Sequence, residues 1–100
     1  MRKVHYMFLD RLRRFELTPE AMAREPELAG QDLTGFRQLA GAAWLFLIHE
    51  DPALTVGAVE RILRSYLAKG WTRFRAWQLR RLRTRLGAMF YEEKKSGHDD

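Results

Sequence analysis

The chain has 100 residues, 46% of them hydrophobic, with 18 Lys and Arg against 13 Asp and Glu and a net charge of +5 at pH 7. That is the length of one domain, and six Phe, three Trp and three Tyr supply aromatic bulk for a core. The absence of cysteine excludes disulfides, thiol catalysis and cysteine-based zinc sites, and fits a reducing compartment.

The first residues, MRKVHYMFLDRLRR, are basic but hold no sustained apolar region and no small-residue cleavage site, so a cytoplasmic protein is expected rather than a secreted one. Charge is segregated along the chain. Residues 1–15 carry a net +4, residues 16–60 a net −6, residues 61–91 a net +9 with no acid at all, and residues 92–100 a net −2. Such opposed blocks imply compensation within the fold or between subunits, and a homo-oligomer is compatible with them; any surplus is free to face a partner.

Over residues 3–16, Val4, Phe8, Leu12 and Phe15 follow helical spacing with Met7 beside them, and Arg11, Arg13 and Arg14 form the polar side. The segment KVHYMF also suits a strand, but no second strand is evident to pair with it. Thr18-Pro19-Glu20 is a helix start, with Thr as N-cap, Pro in the first turn and an acid at the positive end. Pro26 closes that short helix, expected over Glu20–Arg24, because the residue before proline resists the α conformation. Residues 25–31 read as a polar connection.

Leu33 to Ile48 is the stretch around which the rest must be built. Leu33, Phe36, Leu39, Ala40, Ala43, Trp44, Phe46, Leu47 and Ile48 leave little polar face beyond Arg37 and Gln38, the mark of a buried helix. It is shorter than the roughly 20 apolar residues of a membrane span, so no membrane association is expected. Asp32 or Thr34 is the expected cap, and His49-Glu50-Asp51-Pro52 ends the helix. Thr55 then caps a helix with Val59, Ile62, Leu63, Tyr66 and Leu67 inward, stopped by Gly70.

The last helix is expected from about Thr72 to Glu92, with Leu79, Leu82, Leu86, Met89 and Phe90 on one face and Arg80, Arg81, Arg83 and Arg85 on the opposite arc. Gly87 suggests a close crossing with another helix, and residues 94–100 read as a flexible polar tail outside a single helical domain of residues 1–93. The fold class expected from these elements is all-α, a compact bundle of four to five helices around the buried central one.

Sites for chemistry are scarce. His5, His49 and His98 lack partners at metal-ligand spacing, and His49-Glu50 cannot extend to a zinc-binding H-E-x-x-H because Ala53 stands where the second His would be. The hydroxyl residues sit at caps or exposed arcs, outside any glycine-rich elbow or phosphate loop. No enzyme activity, cofactor or metal is expected. The functional signal is KGWTRFRAWQLRRLRTRLG, where arginines interleave with Trp71, Phe74 and Trp77. Aromatics among cations suit single-stranded nucleic acid, through base stacking and backbone charge, and they equally suit a protein-binding surface. By the helical wheel Trp71 and Phe74 lean toward the apolar face, Trp77 projects among the arginines, and Arg75 is expected to pair with an acid of the middle segment or to snorkel.

The stretch from Phe36 to Leu63, FRQLAGAAWLFLIHEDPALTVGAVERIL, resembles the small tail assembly chaperones of long-tailed phages. The matching pieces are Trp44 in an apolar helix, His49-Glu50-Asp51-Pro52, Leu54-Thr55 and Val59; the arginine run from Arg73 to Arg85 is not part of that pattern. The resemblance implies a non-enzymatic phage or prophage protein in the host-cell cytoplasm that coats the amphipathic helices of a tape-measure protein until the tail tube assembles. It also implies a gene lying between those of the tail tube and the tape measure. On this reading Trp71, Phe74 and Trp77 form the partner-binding groove, with Arg73, Arg80 and Arg81 as its charged rim. Two alternatives stand beside it: a basic nucleic-acid-binding protein acting through Arg73, Arg75, Arg80, Arg81, Arg83 and Arg85, and a small phage-encoded inhibitor of a host system.

Overall fold

The computed structural model describes residues 3–97. Two antiparallel strands, β1 (Val4–Phe8) and β2 (Leu12–Glu16), are followed by a short helix α1 (Pro19–Met22), a 3-10 turn over Glu25–Leu28, and three longer helices: α2 (Phe36–Leu47), α3 (Val56–Ala68) and α4 (Thr72–Gly97). The protein is therefore α+β, four helices with a two-stranded sheet, and the all-α expectation is corrected.

The correction has a clear cause. The odd-numbered residues of the hairpin face inward: Leu9, Arg13, Phe15 and Leu17 are buried, and His5 and Met7 are half-buried. Phe8 and Leu12, placed by helical spacing on a buried stripe with Phe15, instead face each other across the strands on the outer surface, 63% and 57% exposed. Helical spacing selects Val4, Phe8, Leu12 and Phe15, whereas a period of two puts Met7, Leu9, Phe15 and Leu17 on one face, and the ladder with that buried face wins. The turn has no glycine, asparagine or proline to announce it. Asp10 makes it instead: its Oδ1 accepts the Arg11 N–H at 2.9 Å, and its two carboxylate oxygens take Nε and Nη2 of Arg13 at 2.9 and 2.7 Å.

Around α2 the expectations hold better. Leu39, Ala40, Gly41 and every residue from Ala43 to Ile48 are buried, and the helix packs against β2, α1, α3 and α4. It starts later than expected, at Phe36. Gly35 is its N-cap with a positive φ of 58° and no side-chain cap; Asp32 accepts a hydrogen bond from the Thr34 hydroxyl rather than capping the helix. Leu33 folds back onto α2, where a Cβ on Gly41 would stand 3.2 Å from its methyl groups, so a larger residue there would make Leu33 give by a few tenths of an ångström.

Downstream of α2, Trp44 Nε1 donates to the Leu54 carbonyl at 2.7 Å and ties the end of the linker to the core. Thr55 and Thr18 cap α3 and α1 through Oγ1, accepting from Ala58 and Ala21 N–H at 3.1 Å each. Arg37 of α2 and Arg64 both pair with Glu60, each at 2.8 Å, linking α2 to α3.

The α4 helix lays Leu79, Leu82, Leu86 and Met89 into the core and continues through Gly97, so Lys94 and Lys95 belong to it. The remainder of the expected tail, residues 98–100, lies outside the described residues, as does His98. A Cβ on Gly87 would meet nothing within 4 Å, so this glycine does not mark a close helix crossing. Among the described residues no helix is long and apolar enough to cross a membrane.

Candidate interaction surface

The start of α4 is built by a left-handed turn. Gly70 and Trp71 have φ of 98° and 54°, which ends α3 and swings the Trp71 ring off the apolar face of the helix that follows. Trp71 is 82% exposed, Phe74 52% and Trp77 44%, so all three aromatics of the arginine run lie on the surface, and the helical-wheel placement of Trp71 and Phe74 is corrected. Phe74 and Trp77 meet in a tilted contact with ring centroids 6.0 Å apart, and the Arg81 guanidinium lies 5.0 Å from the Trp77 ring centroid. Spacings of three and four residues put Phe74, Trp77, Arg81 and Arg85 along one stripe of the helix. Arg73 and Arg80, two turns apart, lie beside that stripe.

Arg75 does not reach an acid of the middle segment. Its Nε donates to the Gly70 carbonyl at 2.8 Å and its guanidinium stacks 4.6 Å over Tyr66, which locks the α3–α4 turn. Arg83 donates to the Gln38 side chain at 3.0 Å. Arg73, Arg80, Arg81 and Arg85 have no carboxylate partner among the described residues. Acids of the middle segment pair with other arginines: Glu27 with Arg24, Glu50 with Arg11 and Arg13, and Glu60 with Arg37 and Arg64. The surplus charge of α4 is thus left for solvent or a partner.

A groove of about 750 Å³ separates α4 from β1. His5, Tyr6 and Met7 line one side; Trp77, Gln78, Arg80, Arg81, Thr84, Arg85 and Ala88 line the other, with Leu82 buried between them. Among the described residues no carboxylate lines it. Lys3, just before β1, reaches Glu92 on α4 at 2.9 Å and ties the start of the strand to the far end of the helix. Burial, then the positive charges of Arg85 and Arg81, hold the His5 pKa below its ordinary value, which keeps the imidazole neutral in this basic setting. A second, more apolar hollow of about 570 Å³ lies across α4, between Leu33 and the α2 surface on one side and Leu86, Gly87 and Phe90 on the other.

The sequence-derived partner residues Trp71, Arg73, Phe74, Trp77, Arg80 and Arg81 are therefore brought together on one exposed end of α4. The β1 side of the groove, His5, Tyr6 and Met7, was missed with the hairpin itself; the alternation of Val4, Tyr6 and Phe8 with His5 and Met7 is the signal that could have found it. His49 turns its Nε2 to the Arg14 carbonyl at 2.8 Å, a structural role at the edge of β2. Compared with known proteins, the chain matches no family model, no curated protein and no solved structure.

Proposed function

We propose that the chain is a non-enzymatic protein-binding module, a tail assembly chaperone of a long-tailed phage or prophage that shields amphipathic helices of a tape-measure protein. The phage role rests on the resemblance of residues 36–63. The observation that carries the binding role is the exposed Phe74–Trp77 pair, with Trp71 exposed just before the same helix, rimmed by Arg73, Arg80 and Arg81 without carboxylate partners among the described residues. Large exposed aromatics cost solubility unless something covers them, and arginine with aromatics is the composition of binding hot spots. An amphipathic helix with acidic flanks would lay its apolar stripe on the aromatics and its carboxylates against the rim.

The test is titration of the protein with helical peptides drawn from a tape-measure protein encoded beside it. Trp77→Ala is expected to weaken binding about tenfold or more while leaving the melting temperature nearly unchanged. Equal binding by wild type and variant would remove the aromatic pair from the interface. A nucleic-acid reading is favoured by one specific observation, the run of nine basic residues without an acid from Arg61 to Tyr91. Anisotropy with single- and double-stranded DNA at about 50 and 200 mM salt separates the two, because phosphate binding collapses steeply over that range.

A further inference from the structure

The two edges of the hairpin are treated differently. The register pairs Val4 with Glu16, Tyr6 with Arg14 and Phe8 with Leu12, while the Leu9 N–H donates to the Arg11 carbonyl at 3.0 Å. In an antiparallel ladder that bond makes the odd-numbered pairs the hydrogen-bonded ones. The N–H and C=O groups of the even-numbered residues then point outward from both edges. On β2 the outward carbonyls are covered: Leu12 accepts from Arg11 Nη1 at 3.4 Å and Arg14 from His49 Nε2 at 2.8 Å. On β1 the outward groups of Val4, Tyr6 and Phe8 have no partner among the described residues, and the groove toward α4 is lined on this side by His5, Tyr6 and Met7. Uncovered edge groups of this kind are a template for another strand.

We propose that the β1 edge takes an extended segment of a partner protein by strand addition, with alternating apolar and acidic side chains. In a strand placed there, one set of side chains falls on the outer face beside Tyr6 and Phe8, which are 59% and 63% exposed. The other set turns toward α4, where, among the described residues, Arg81 and Arg85 have no carboxylate partner and no carboxylate lines the groove. Charge complementarity therefore selects acids on that side. It also disfavours a second copy of this chain: pairing β1 with β1 of another molecule would bring two α4 helices, each with Arg80, Arg81 and Arg85 on its groove face, against one another. The site shares Trp77, Arg80 and Arg81 with the helix-binding patch, but Tyr6, Phe8 and Arg85 lie outside that patch, so substitutions there separate the two.

The experiment uses the full chain, isotopically labelled, and an acetylated peptide of about eight residues alternating valine and glutamate. Binding is expected to slow hydrogen exchange at the Tyr6 and Phe8 amides and to weaken as salt is raised. Tyr6→Pro removes an outward N–H but no ladder bond, and is expected to lower affinity about five- to tenfold, while Tyr6→Thr, which keeps that N–H, stays within about threefold. Arg85→Glu, outside the helix-binding patch, is expected to lower it about tenfold. Retained melting temperatures in these variants assign the losses to the edge rather than to unfolding. Any of four results overturns the proposal: no binding, binding without protection of Tyr6 and Phe8, equal binding by a helical glutamate–alanine peptide or by oligothymidylate, or a dimeric free protein with those amides already protected.

Discussion

α2 and α4 both carry leucines at helical spacing, yet they occupy opposite environments. α2 is short and nearly free of charge; its one cation, Arg37, is spent on Glu60, and the other elements close around it. α4 is 26 residues long, buries one stripe, and holds Arg73, Arg80, Arg81 and Arg85 away from any carboxylate among the described residues. The strands divide the same way. β2 packs on α2 and has its outward carbonyls covered, whereas β1 faces α4 across a groove with its edge groups open. The molecule thus has a closed half, which holds the core, and an open half, whose charged and edge groups are left uncovered.

The largest expected effect lies in the closed half. Phe46→Ala, at a residue only 1% exposed, should cost about 3–5 kcal/mol in urea unfolding. A loss below about 1 kcal/mol would mean that α2 is not the centre of the core. Next comes Arg13, a guanidinium buried in the hairpin against Asp10, with Nη1 lacking a hydrogen-bond partner and 3.8 Å from Glu50. Arg13→Ala should cost about 2 kcal/mol, and Arg13→Met, which keeps the stem and removes the unpaired nitrogen, should cost less. The hydrogen bond from Arg13 holds the Asp10 carboxyl below its ordinary value of 3.8, outweighing burial, which pushes it up. Because the folded value is the lower one, the stability this pair contributes is present above pH 3.8 and is lost as pH falls through the folded value. Acid titration of stability in Arg13→Met should therefore show a shallower loss below that pH than wild type.

Smaller effects belong to α4. Gly87→Ala places a methyl in open space on a helix and should stabilise by about 0.5–1 kcal/mol. A destabilised variant would show that Gly87 is covered after all. Trp71→Ala should change stability by less than about 0.5 kcal/mol, since the ring is largely in water, while weakening partner binding. A large loss of stability there would move Trp71 from the open half to the closed one.

What could be read from the sequence follows the same division. The α2 core, the caps at Thr18 and Thr55 and the left-handed stop at Gly70 were legible, because burial and capping leave local marks in residue type and spacing. The arginine–aromatic run was legible as a surface, though Trp71 was misplaced because its position depends on a left-handed backbone that a helical wheel does not contain. The hairpin was not legible. Its turn is made by an Asp10–Arg13 ion pair instead of turn residues, and Val4, Phe8, Leu12 and Phe15 satisfy helical spacing by coincidence. With the hairpin went the β1 wall of the groove, which exists only once β1 and α4 are placed beside each other.

The most direct test of the open half is amide hydrogen exchange in the free protein, residue by residue along β1. The account predicts slow exchange at His5 and Met7, whose N–H groups bond to β2, and fast exchange at Tyr6 and Phe8, whose N–H groups point outward from the ladder. Equal protection at all four would contradict it, because the β1 edge would then already be covered.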